Sequence, residues 1–252
     1  MCPGLRPLAL WALILLARPI SAQEEVLTAA DLIDRVDKLY RSESSYSELE
    51  MRIVTPNWER RLALQMWTWG MDRTFIHITA PKKDAGMATL RDAKEMWNYF
   101  PKIGKVMKVP PSMMMSAWMG SDFTNDDLVK ESSLLEDYDS RLLPEGEEPG
   151  FYYVELVPRE QAATVLGRIE IVVRREDLLP VRQVYYDEKG RRMRIMELKE
   201  VRELGGRKIP VLLELVPLGK QGHRTVIRYL DARFDEEVDE SVFTLRNLRK
   251  KR

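Results

Sequence analysis

Arg61 to Trp69 reads RLALQMWTW. Side chains alternate along an extended chain, so Leu62, Leu64 and Met66 share one face and Ala63, Gln65, Trp67 and Trp69 the other. Both faces are largely apolar, which predicts a strand buried on both sides. One face would pack on core, and the other is free to line a ligand cavity. The same period of two continues outward. Upstream, Leu49, Met51 and Ile53 alternate with Glu50 and Arg52 before a break at Pro56-Asn57. Downstream, Gly70-Met71-Asp72 forms a turn and Arg73 to Thr79 resumes the alternation. Short strands are expected over 86–91, 95–100 and 105–109, then over 150–157, 167–174, 181–187, 191–203, 207–217 and 222–234. Turn residues at short intervals make this an antiparallel meander.

Two segments depart from that period. Residues 28–41 read as a helix: Thr28 caps it with Asp31 three residues on, and Ala29, Leu32, Ile33, Val36, Leu39 and Tyr40 form one apolar face. RSESSYSE (41–48) reads as the turn that follows. The centre, Pro110 to Asp139, contains PPSMMMSAWMGSDFTNDDL, which reads as one or two short helices around a glycine, with Thr124 and Asp127 forming a second capping pair. Roughly ten strands with two or three helices predict an α+β, mainly β fold. These elements suggest a strongly curved sheet with helices lying on its concave side, and a sheet closed only by helices leaves an apolar cavity between the layers. A tail bearing Phe243, Leu245 and Leu248 is expected to dock back on the core.

The N-terminus has the layout of a secretory signal peptide. Arg6 precedes ten unbroken apolar residues, Leu8 to Ala17, and Ser21-Ala22 offer a cleavage site. That run is too short to span a bilayer; a retained anchor flanked by Arg18 is the rival reading. The expected organisation is a signal peptide over 1–22 and one exported domain over 23–252. Cleavage removes Cys2, the only cysteine, so the mature chain would hold no disulfide or thiolate site. Cys2 lacks the upstream apolar residues of a lipoprotein box, so no lipidation is expected. Forty basic and forty acidic residues balance, which argues against nucleic-acid binding. The basic run at Arg246, Arg249, Lys250, Lys251 and Arg252 reads as a solvated tail.

Catalytic patterns are sparse. His77 and His223 sit in strand patterns without partners at metal-ligand spacing. No P-loop, GxSxG or GxGxxG precedes a helix. Asp122, Asp126 and Asp127 are close together, and helix capping accounts for them. No enzyme, metal or cofactor is expected. Soft apolar side chains stand out instead: Met113, Met114, Met115 and Trp118 lie within a few residues of one another, and Trp67, Trp69, Phe75, Trp97 and Tyr99 lie on neighbouring expected strands. Methionine is flexible and polarisable, and suits a surface that must fit several shapes. These nine residues are the candidate ligand-binding set, with ordinary core packing as the competing reading.

Four strings carry a family resemblance: WMGSDFTNDDL (118–128), APKKDAGMATL (80–90), MWNYFPKIGKVMKVPPSMM (96–114) and ELGGRKIP (203–210). Together they resemble the bacterial outer membrane lipoprotein-sorting protein-like family, a branch of the LolA-like superfamily, over about residues 27 to 248. The resemblance implies an incomplete, half-open antiparallel β-barrel with short helices covering its concave face, holding an acyl chain of a lipoprotein or another lipid, with an inner-membrane exporter of the resistance-nodulation-division type as a partner. It does not supply a basic residue that fastens the lid. The expected function is a monomeric periplasmic carrier; the alternative is an exporter accessory protein that carries nothing, with its cavity collapsed.

Overall fold

The computed structural model describes residues 27–93, 95–129, 134–144, 148–162 and 164–250. The expected signal peptide (1–22) with Cys2, and Lys251 and Arg252 of the basic tail, lie outside the described residues. Helix α1 (Ala29–Lys38) leads into strands β1 (Ser44–Val54), β2 (Glu59–Trp69), β3 (Arg73–Ala80), β4 (Ala88–Asp92), β5 (Glu95–Phe100) and β6 (Lys105–Lys108). Two 3₁₀ turns (Pro111–Met113 and Trp118–Gly120), α2 (Asn125–Val129) and α3 (Leu134–Asp137) follow. The second run is β7 (Tyr138–Leu142), β8 (Phe151–Pro158), β9 (Leu166–Arg174), β10 (Pro180–Asp187), β11 (Arg192–Leu204), β12 (Arg207–Pro217) and β13 (Arg224–Phe234). A 3₁₀ turn (Glu240–Phe243) and α4 (Leu245–Leu248) end the described chain. None of these helices is long and apolar enough to cross a membrane.

All thirteen strands join one antiparallel sheet in the order β6-β5-β4-β3-β2-β1-β13-β12-β11-β10-β9-β8-β7. It consists of two meanders zipped together where β1 pairs with β13. The outermost strands, β6 and β7, are joined in sequence by residues 109–137. The described parts of that connection, residues 109–129 and 134–137, lie over the concave face, where Trp118, Phe123 and Leu134 meet strand residues around one cavity. The barrel is therefore incomplete, and its cover is the chain's own link between its edges.

Alternation sorts the side chains as the sequence predicts. Leu49, Met51, Ile53, Leu62, Leu64, Ile76 and Ile78 join α1 and Trp118 in the main core. The Thr28 hydroxyl accepts from Asp31 N–H at 3.2 Å, and the Asp31 carboxylate accepts from Thr28 N–H at 2.9 Å, so the capping box fixes the start of α1. Ala29, Leu32, Ile33 and Val36 are its buried face. The helix stops at Lys38, short of the expected 41. Tyr40 lies beyond its end, stacks on Tyr229 with centroids 4.9 Å apart and donates to Pro210 O at 2.7 Å. The opposite face of the sheet carries a smaller cluster of Phe75, Ala88, Leu90 and Tyr99, sealed by Phe243 and Leu248 of the C-terminal segment.

Three local expectations are corrected. The serine-rich stretch after α1 belongs partly to β1: Ser44, Ser45 and Ser47 are buried. Polarity there does not mark a turn, because Ser45 and Thr68 exchange a 2.6 Å hydrogen bond across strands. Residues 138–142 are the edge strand β7 and no part of a helical centre; beyond the buried Tyr138 its largely exposed, unalternating side chains hide it from periodicity. Leu245 is exposed, so of the three expected anchors Phe243 and Leu248 are the buried ones. Sterics require glycine at the β11–β12 turn. Gly205, at φ +55° in the β11–β12 turn, lies so close to β13 that a Cβ would fall 2.6 Å from Ala232 O.

Candidate functional site

Between the concave face and its cover lies a cavity of about 290 Å³. Its walls are aliphatic. Leu49, Met51, Leu64, Met66 and Ile76 come from the first meander, and Ile169, Met196, Leu198, Leu213 and Ile227 from the second. Val36 enters from α1 and Tyr40 from just beyond its end, and Trp118, Phe123 and Leu134 from the cover. Strand parity explains the set. Leu64 stands opposite Leu49, Leu62 opposite Met51, and Met51 opposite Ile227, so successive strands present branched and flexible apolar groups at one level.

The cover is bolted on both sides. Trp118 Nε1 donates to Thr89 Oγ1 of β4 at 3.0 Å, and Arg60 of β2 donates to Met119 O at 2.9 Å. On the far side Thr225 Oγ1 donates to Asp122 Oδ2 at 2.8 Å. The strongest fastening is Arg194 of β11, whose two terminal nitrogens reach Asp127 at 2.6 and 2.5 Å. The family resemblance supplied no such residue; here the arginine comes from the second meander. Asp127 also takes the Thr124 N–H at 2.8 Å, so the expected second capping pair is present and doubles as the anchor. Burial opposes the Arg194 charge, but the Asp127 hydrogen bonds and field outweigh it and raise its pKa. Its guanidinium lies 4.4 Å from the Tyr185 ring, and burial pushes that phenol's pKa up.

Polar groups line the cavity only sparsely. Burial pushes the Tyr229 phenol up to about 12, so it stays neutral. Arg41, just after α1, donates to Met71 O at 3.2 Å. Desolvation lowers its pKa, against the opposing fields of Tyr229, Asp37 and Asp72. A guanidinium nevertheless remains charged at neutral pH.

Of the nine candidate residues, Trp118 lines the cavity. Met114 packs against the main core, while Met113 and Met115 are exposed on the cover. Trp67, Phe75, Trp97 and Tyr99 lie on the opposite face, in the cluster under the C-terminal segment. Trp69 meets Phe243 there at 6.1 Å. The two-sided burial of β2 is present, but the aliphatic face turns to the cavity and the aromatic face to the tail. Alternation alone identifies two faces without ranking them. The signal that decides between them is chain-wide: only the Leu62, Leu64 and Met66 parity matches the apolar parity of β1 and β12. His223 Nδ1 lies 3.9 Å from Asp122 Oδ1, beside the cover's attachment to Thr225. Among the described residues no group of three or more His, Cys, Asp or Glu side chains is placed to hold a metal.

A protein-family model described as "Uncharacterized protein" matches residues 70–250. A solved DUF1329 family protein of Desulfovibrio piger is 25% identical with a TM-score of 0.78, over 87% of this chain and 97% of its own. An outer membrane lipoprotein-sorting protein domain of Vibrio parahaemolyticus has a TM-score of 0.74 at 17% identity, over 86% and 97%. A LolA superfamily protein of Nitrosomonas europaea has a TM-score of 0.73 at 19% identity, over 88% and 99%. These last two share the fold. No curated protein matches the chain. With a match over residues 70–250, most of its length, the chain belongs to the family of uncharacterized proteins that this model describes, and it shares its half-open barrel fold with the DUF1329, lipoprotein-sorting and LolA superfamily structures.

Proposed function

We propose that this protein is a non-catalytic periplasmic carrier that shields the acyl part of a lipoprotein or another amphiphile. The observation that carries this reading is the open aliphatic cavity of about 290 Å³ under a hydrogen-bonded cover. Small-molecule sites run from roughly 300 Å³ upward, so the space suits a slender chain better than a bulky head. Exposing a sixteen-carbon chain to water costs on the order of 12 kcal/mol. Such a cargo needs a shield to cross an aqueous compartment, and transfer then requires only graded affinity between partners. A relative of the same fold is named for lipoprotein sorting. The N-terminal sequence has the layout of an export signal. The accessory-protein reading requires a collapsed, side-chain-filled interior, and the cavity weighs against it.

Native mass spectrometry of the protein purified gently from a bacterial periplasm tests the proposal. The expected result is a bound lipid or acylated peptide, lost in Ile227→Trp, which fills the cavity from its wall while the fold is retained. A clean ligand-free mass, with no uptake of a fluorescent fatty acid or lipopeptide, would refute the carrier and favour the exporter accessory.

A further inference from the structure

We infer that the cargo carries an anionic group, a carboxylate or a phosphate ester, seated on Arg41 at one end of the cavity; this rests on the carrier reading above. The cavity is graded along its strands. Register places Ser45 opposite Thr68, Thr68 opposite Thr74, and Thr74 opposite Arg91, so four neighbouring strands present one polar row. All four residues are buried. Farther along the same strands, Leu49 and Leu64 begin the aliphatic zone. The row is only partly satisfied. Ser45 and Thr68 bond each other, whereas Thr74 Oγ1 has no hydrogen-bond partner among the described residues.

Arg41 stands at this polar end. Its Nη1 and that of Arg91 both donate to the carbonyl of Met71, in the turn between β2 and β3. Two cations thus converge on one backbone oxygen. Among the described residues no carboxylate lies within 4.0 Å of the Arg41 guanidinium. Asp37, nearby, accepts the Leu134 N–H at 2.6 Å. Asp72 is exposed, and Asp127 is neutralised by Arg194. Arg41 has five side-chain N–H donors, and among the described residues one of its terminal nitrogens donates, to Met71 O. A guanidinium matches a carboxylate or phosphate through two parallel hydrogen bonds, and a desolvated cation gains most from such a partner. The bound molecule would place its head by the β2–β3 turn and its tail toward Met51 and Leu213.

The full-length protein, stripped of lipid, should be titrated near neutral pH with palmitate, hexadecyl phosphate, hexadecanol and inorganic phosphate. Palmitate and hexadecyl phosphate should bind at least about tenfold more tightly than hexadecanol. Arg41→Met should erase most of that preference while leaving hexadecanol affinity within about twofold, and Arg41→Lys should retain part of it. Equal affinity for hexadecanol and palmitate in the unmodified protein would overturn the anion assignment and leave the carrier standing. Binding of none of the acyl probes would overturn both. Inorganic phosphate binding as tightly as hexadecyl phosphate would reassign the site to a free anion and overturn the amphiphile. The comparison among probes needs no variant, so a misfolded Arg41→Met leaves the test decisive.

Discussion

Arg194 and Asp127 are 13% and 11% exposed, and they join strand to cover across the barrel. Removing one partner of a mostly buried pair strands the other charge away from water. Arg194→Met and Asp127→Asn should each lower stability by about 3 kcal/mol, and the double variant by less than the sum. Urea unfolding of the four proteins checks this. Additive losses would mean that the two groups are not coupled. One half of this contact was legible in the sequence. Thr124 and Asp127 have capping spacing, and local spacing is what a sequence displays. Arg194 was not, because it meets Asp127 only once the second meander folds beneath the cover. Arg41 escaped for a different reason. At a helix end, in a polar stretch, an arginine has the same appearance whether it faces water or a cavity.

The C-terminal segment is an element with a single task, covering the aromatic face. Phe243 and Leu248 seal Phe75, Leu90 and Tyr99, and Glu240 pairs with Arg73 at 2.6 Å. Phe243→Ala should destabilise by roughly 3 kcal/mol and increase binding of a hydrophobic dye. It should leave acyl-probe affinity unchanged, because the cavity lies on the other side of the sheet. Calorimetry and probe titration on the same sample separate these effects; loss of probe binding in a folded Phe243→Ala would place the ligand on the aromatic face instead. Most elements were legible. Alternation located β2 and β3 nearly to the residue, and capping located the start of α1. The misses share one cause, side chains whose environment is set by a neighbouring strand. Ser45 is buried because Thr68 satisfies it, and β7 is a strand because β8 pairs with it.

For the whole molecule, the cavity couples binding to stability. A ligand that binds only the folded form, present at about a hundred times its Kd, should add roughly 2.7 kcal/mol and raise Tm. Amide exchange should slow in the described part of the cover, residues 111–129, if the ligand is held beneath it. Unchanged Tm and exchange on saturation with an acyl probe would show that the probe adheres to the surface. The overall architecture followed from counting strands, but its closure did not, because no local pattern records which strands become neighbours. The pairing of β1 with β13 has a further consequence, for how the molecule comes into being. Leu49 faces Tyr229 at the middle of the sheet, although the two lie near opposite ends of the chain. Contacts so distant in sequence must close a very large loop before they contribute. A ribosome releases the partner of β1 after all the other strands, so the sheet lacks its central seam until β13 has emerged. A chain threaded through a narrow translocation pore from its N-terminus would thus arrive unfinished, and acquire its final shape only on the far side.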